Sequence, residues 1–186
     1  LGQSPGLAVD SQDTIWVLTR PNSLDPTESG LAQDPPIALA CCKLPPHVLR
    51  FDQEGNLLSG WGGPQLAPGD GDAEQWPANV HGLYVDDEGT VWIGGNGDGD
   101  HVVLNFTADG QFIRQFGTRG ETAGNESRTT LGNPADIAAN DESVLVADGY
   151  INKRIVELSD ADLAMTHLFG AYGEVPGGGT RDEPFD

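Results

Sequence analysis

Short apolar runs separated by polar turns dominate the chain, and they recur in order. Gly6-Leu-Ala-Val-Asp-Ser-Gln-Asp-Thr-Ile-Trp-Val-Leu18 returns as Gly82-Leu-Tyr-Val-Asp-Asp-Glu-Gly-Thr-Val-Trp-Ile-Gly94. A weaker third copy runs Ala135-Asp-Ile-Ala-Ala-Asn-Asp-Glu-Ser-Val-Leu-Val-Ala147. Each copy is apolar, then polar, then apolar again, which predicts a tight β-hairpin. A second hairpin follows each, opening at His47, His101 and Lys153 and closing on an aromatic-Gly pair, Trp61-Gly62, Phe116-Gly117 and Phe169-Gly170. The pattern predicts strands over 7–10, 14–19, 47–52, 56–61, 82–86, 90–94, 101–107, 111–116, 135–139, 144–148, 153–158 and 163–169.

Two hairpins in roughly 40–50 residues make a four-stranded antiparallel meander, the unit of a β-propeller. The predicted fold class is therefore all-β, a propeller. Three blades are visible, over about 5–62, 81–117 and 134–170, within a single domain 1–186 that ends in an acidic, Gly/Pro-rich tail, 171–186. A β-sandwich with fortuitous likeness is the alternative, and three hairpin pairs of identical internal order argue against it. Propellers close with about 4–8 blades, so three form an arc. Either a longer chain supplies further blades, as in a six-bladed ring, or copies self-associate to complete one. His47 and His101 open third strands and are read as equivalent structural residues, while Trp16 and Trp92 are read as equivalents that fill the wedge between neighbouring blades.

The turns between strands one and two and between three and four are short throughout. The long connections, 20–46, 63–80, 96–100, 118–133 and 149–152, all leave from the opposite face. That face is the elaborated one, and loops on a rigid scaffold are where binding concentrates. It is the expected docking face for a small-molecule or peptide ligand. The 20–46 connection has six prolines and the pair Cys41-Cys42. Adjacent cysteines form either a vicinal disulfide or two thiols; with two cysteines in all, no long-range bridge staples this chain internally.

Composition narrows the partners. The 29 acidic and 9 basic residues leave a formal charge of −20, which repels phosphate backbones and anionic membranes, so neither nucleic acid nor membrane is expected. Gly and Pro number 26 and 13, as suits a turn-rich β protein. No apolar run approaches the roughly 18 residues of a membrane span, and no signal peptide is visible, which is expected of a mature chain or a fragment. The sequons Asn105-Phe-Thr and Asn125-Glu-Ser permit N-glycosylation in a secreted protein; an extracellular or periplasmic location is the expectation.

Three residues carry candidate chemistry. His81 precedes the innermost strand of the second blade, at the mouth of the central channel, and its slot is read as holding Pro5 and Pro134 in the other blades. Arg20 and Tyr150 each follow a second strand and face the same mouth. An imidazole, a fixed cation and a phenol converging on one funnel make an anion-binding or acid–base site. Asp98 and Asp100, in Asn96-Gly-Asp-Gly-Asp100, lack the spacing and distal Glu of an EF-hand and read as a solvated turn.

The Val-Asp-x-x-Gly-x-Val-Trp hairpin and the closing Phe-Gly resemble NHL repeats. Over roughly residues 5–172 the chain is also similar to the peptidyl-α-hydroxyglycine α-amidating lyase family. Val80-His-Gly-Leu-Tyr-Val-Asp-Asp-Glu-Gly-Thr-Val-Trp92 resembles the segment with that family's first zinc histidine, implying His81 as a zinc ligand. Asn133-Pro-Ala-Asp-Ile-Ala and Val146-Ala-Asp-Gly-Tyr-Ile-Asn-Lys-Arg-Ile155 resemble the segment with its active-site tyrosine, implying Tyr150. Ile15-Trp-Val-Leu-Thr-Arg20 resembles its first arginine position, implying Arg20. The resemblance further implies a structural calcium on the backbone carbonyls of Leu7 and Leu83. The departures are specific: two zinc histidines and a second arginine have no counterpart, Ile151 stands where the family often has Cys, and the family's calcium carboxylate lies beyond residue 186. The first expectation is a secreted NHL-repeat propeller that binds or scaffolds. The alternatives are a zinc-dependent lyase yielding peptide amide and glyoxylate and, more weakly, a calcium-dependent lactonase-like hydrolase.

Overall fold

In the computed structural model, residues 2–24, 45–63 and 76–170 are described. Cys41 and Cys42, and the tail from residue 171, lie outside them. Among the described residues twelve strands form, in the predicted order. They are β1 (Gln3–Val9), β2 (Ile15–Arg20), β3 (Val48–Phe51), β4 (Leu57–Trp61), β5 (Val80–Val85), β6 (Val91–Gly95), β7 (Val102–Phe106), β8 (Phe112–Gly117), β9 (Asp136–Ala139), β10 (Ser143–Asp148), β11 (Arg154–Ser159) and β12 (Met165–Phe169). They build three four-stranded antiparallel sheets, β1–β4, β5–β8 and β9–β12, each a simple meander. The fold is all-β, an arc of propeller blades. A 3-10 turn, Pro21–Ser23, follows β2.

Alternation decides which face each residue buries. The second sheet turns Leu83, Val91, Ile93, Leu104 and Phe106 toward the first sheet, where they meet Trp16, Leu18, Val48 and Trp61. Its other face turns Trp92 and Val103 toward Ile137, Val144, Val146, Val156 and Leu158 of the third. Trp16 and Trp92 are 1% and 0% exposed, so each fills one wedge, as their repeat positions require. The innermost strands approach closely. A Cβ on Gly6 would lie 2.7 Å from the Leu83 Cβ, and one on Gly82 would lie 3.0 Å from the Asp136 Cα. Only glycine allows that spacing between adjacent blades.

Strand register corrects two sequence readings. The rows Ala8–Trp16–Arg50–Ser59, Tyr84–Trp92–Asn105–Arg114 and Ala138–Leu145–Glu157–His167 are equivalent across the sheets. By that register His47 matches Val102 and His101 matches Pro46, so the two histidines are not equivalent. The slot of His81 is filled by Pro5 and by Ala135, not Pro134. The physical cause is the third hairpin's turn. Asp10 and Asp86 close their turns on the carbonyls of Thr14 and Thr90, whereas Asn140 closes on that of Ser143, one residue sooner. The longer turns each contain a left-handed residue, Asp13 (φ 59°) or Gly89 (φ 79°). The 140–143 turn has none.

Candidate functional site

The long connections leave from one face of the arc, and the innermost strands β1, β5 and β9 line its mouth. A cleft of about 250 Å³ there is bounded by Pro5, Gly6, Leu7, His81, Leu83, Ala135 and Asp136. It brings together three predicted positions, His81, Leu7 and Leu83, and adds Asp136, which the sequence reading did not single out. Asp136 stands where the other two blades have Gly6 and Gly82, so a carboxylate replaces a hydrogen at the mouth.

His81 is held from both ring nitrogens. Its Nδ1 lies 2.7 Å from the Ala135 carbonyl oxygen. A carbonyl only accepts, so Nδ1 carries the proton and donates it. The neutral ring then presents a lone pair at Nε2, and the Tyr150 hydroxyl, 2.9 Å away, donates to it. The two rings meet edge-on with centroids 5.5 Å apart. Tyr150 reaches this position from the tight 149–152 turn, with φ 66°, a left-handed conformation uncommon for a residue bearing a Cβ. It remains 61% exposed. The site thus combines backbone strain, an open phenol and an imidazole of fixed tautomer.

Arg20 borders the same mouth but is largely occupied. Its Nε donates to the Val80 carbonyl at 2.7 Å, Nη1 to Gln3 Oε1 at 3.1 Å and Nη2 to Asn96 Oδ1 at 3.4 Å. That leaves two of a guanidinium's five N–H groups. Burial lowers its pKa from the ordinary arginine value, and the nearby Tyr150 acts in the opposite direction. Arg20 therefore clamps β2 to β5 while keeping its positive charge beside the phenol. Its three acceptors come from segments far apart in sequence, which is why spacing alone did not reveal the clamp.

Other candidates resolve differently. Asp100 is fully buried. Its carboxylate accepts the N–H groups of Ala78, Asn79 and Gly97 and the Nε of Arg119, so it fastens two loops together and has no lone pair to spare for calcium; Asp98 is exposed. Asn105 does not fit a glycan. It is 1% exposed, and its amide nitrogen donates to Thr90 Oγ1 at 2.7 Å and to the Val91 carbonyl. Asn125 is in the 118–133 connection, half-buried, its Oδ1 accepting the Lys153 N–H. No three His, Cys, Asp or Glu side chains converge as metal ligands among the described residues.

Comparison with known proteins agrees with the architecture. A family model described as two component regulator propeller matches residues 76–97, the β5–β6 hairpin and its approach. The mouse (Mus musculus) NHL repeat-containing protein 3 is 28% identical over 139 residues, 70% of this chain and 36% of its own length. A protein of unknown function from Bacteroides caccae superposes with TM-score 0.54 at 13% identity, over 91% of this chain and 46% of that one. The WD40 repeats of RRP9 superpose with TM-score 0.50 at 12% identity, over 92% and 39%. The chain thus spans about a third of the curated relative and under half of these structures. The last two likenesses concern fold alone; together the four agree with a β-propeller architecture, a scaffold that hosts many unrelated functions.

Proposed function

We propose that this arc is a binding module whose ligand docks at the mouth formed by His81, Tyr150 and Arg20, and that the ligand presents a carboxylate, as a short peptide with a free C-terminus does. The observation that carries this reading is the Tyr150 hydroxyl, exposed, held by a left-handed residue, and donating to His81 Nε2. Such strain clusters at ligand sites. A carboxylate docking at the mouth between Tyr150 and Arg20, beside that cleft, takes the phenolic hydrogen bond and the two remaining Arg20 donors, both charge-assisted.

The test is calorimetric titration with N-acetylated dipeptides bearing a free or an amidated C-terminus. The free acid binds, the amide binds about tenfold more weakly, and Tyr150→Phe loses a similar factor. Equal affinity for acid and amide, or unchanged affinity in Tyr150→Phe, contradicts the reading.

A second reading is a zinc-dependent, amidating-lyase-like activity. One observation favours it: a backbone carbonyl on Nδ1 is the usual way of aiming a histidine's Nε2 at a metal. Catalytic zinc takes three protein ligands, and the described residues offer His81 alone, so they do not by themselves fit the ion. Stoichiometric zinc retained through dialysis, together with glyoxylate release from a peptidyl-α-hydroxyglycine, would establish this reading over simple binding.

A further inference from the structure

The opposite, short-turn face holds a second cleft, of about 220 Å³, between the first two sheets. Asp10, Gln12, Trp16, Arg50, Asp87 and Ala108 are among its walls. Arg50 lies over the Trp16 ring, its Cζ 5.0 Å from the centroid. Its Nη2 reaches Asp10 Oδ2 at 3.5 Å and Thr14 Oγ1 at 3.3 Å. Its Nε is buried with no hydrogen-bond partner, and among the described residues no acceptor is paired with Nη1. The side chain is 26% exposed and its ion pair with Asp10 is long, but a buried N–H left without an acceptor is costly.

The next wedge contains the same device completed. Arg114 lies over Trp92, Cζ 5.1 Å from the ring, and its Nη2 meets Asp160 Oδ1 at 2.5 Å. Its Nη1 also donates to the Asp160 backbone carbonyl. Asp160 lies three residues beyond the Glu157 row, and the residue three beyond the equivalent Asn105 is Ala108. The first cleft therefore has no counterpart of Asp160, and its guanidinium has only the longer ion pair with Asp10. An acidic rim does not forbid that group. Asp87-Glu88 borders the first cleft, and Asp141-Glu142 occupies the same turn beside Asp160, whose N–H donates to the Glu142 carbonyl.

We propose that the cleft over Arg50 binds the aspartyl side chain of a peptide segment from a partner protein, its carboxylate and adjacent carbonyl taking the place that Asp160 takes on Arg114. This site is on the face opposite the His81 mouth and does not depend on the reading given for that mouth.

The experiment follows the Trp16 indole and Arg50 Nε–H resonances of the full chain by NMR. The probes are N-acetyl-aspartate methylamide, its asparagine analogue, and acetate. The aspartyl probe gives saturable shifts at both resonances. The asparagine analogue binds about tenfold more weakly, having lost the charge-assisted bonds. Arg50→Lys, chosen to keep the charge and the fold while losing the planar fork, weakens binding. Ala108→Asp, at a position partly packed against the core, fills the cleft from within and abolishes the shifts, and its denaturation midpoint checks that the fold is kept. Equal binding of the two analogues, or undiminished binding in Ala108→Asp, would overturn the site. Acetate binding as tightly as the aspartyl probe would overturn the peptide as its occupant. A His81→Gln variant retains these shifts, which separates failure at this cleft from failure at the mouth.

Discussion

The two wedges between neighbouring sheets share a frame and differ in what fills it. Both place a tryptophan on the second strand, cap its indole N–H with the aspartate that opens the preceding turn, and lay a guanidinium over the ring. Trp16 donates to Asp10 at 2.9 Å and Trp92 to Asp86 at 3.1 Å. The guanidinium, however, comes from β3 in one wedge and from β8 in the other. The first wedge is more aromatic: Trp61, Trp76, Phe106 and Phe112 join Trp16, with Trp76 and Phe106 centroids 5.6 Å apart. The second is mainly aliphatic and closes its cation with Asp160. The repeat thus sets geometry, while single residues off the repeat decide whether the cation in a wedge meets a second carboxylate.

The shared frame is tested hardest by removing its tryptophans. Trp16→Ala and Trp92→Ala each cost about 3–5 kcal/mol in denaturant unfolding. A cost under about 1 kcal/mol at either would break the equivalence. The close approach of inner strands comes next. Gly6→Ala costs roughly 1–3 kcal/mol, because its Cβ would lie 2.7 Å from that of Leu83. Asp136, at the same position of the third sheet, accepts Ala without comparable loss, being exposed.

The difference between the wedges is smaller in energy. Asp160→Ala loses about 1 kcal/mol, since the pair is partly exposed, and Ala108→Asp gains a comparable amount; chemical denaturation midpoints compare the two. The smallest effect is pH-dependent. His47, edge-on to Trp76 with centroids 5.5 Å apart, has its pKa lowered from 6.5 by burial, partly offset by its hydrogen bond with the Gly62 backbone. A depressed pKa favours the neutral ring in the folded state. The stability it supports is present above pH 6.5 and falls as acidification proceeds from there toward the folded value. His47→Gln flattens that segment of the melting temperature against pH; an unchanged slope would contradict the assignment.

Periodicity revealed the twelve strands and the two tryptophans because burial on alternate faces leaves a direct mark on residue order. It did not reveal that the third hairpin is one residue short, because turn length depends on a single left-handed residue, present at Asp13 and Gly89 and missing from 140–143. That one residue displaced the reading of His81's equivalents. At the mouth, His81, Tyr150 and Arg20 were legible as types on one face. The Ala135 carbonyl and the acceptors Gln3, Val80 and Asn96 were not, because backbone groups and distant partners leave no pattern. Asn105 reads as a glycan acceptor by its sequon, yet its inward position on β7 spends the amide in the core.

The claim that the mouth is a working site rests on the His81–Tyr150 pair, and nitrogen NMR of the His81 ring above pH 8 tests it directly. There an ordinary imidazole is neutral. The expected spectrum has a protonated Nδ1, an Nε2 shifted as a hydrogen-bond acceptor, loss of that shift in Tyr150→Phe, and a further change when the free-acid dipeptide is added. A proton on Nε2, or a ring indifferent to both Tyr150→Phe and the peptide, would contradict it.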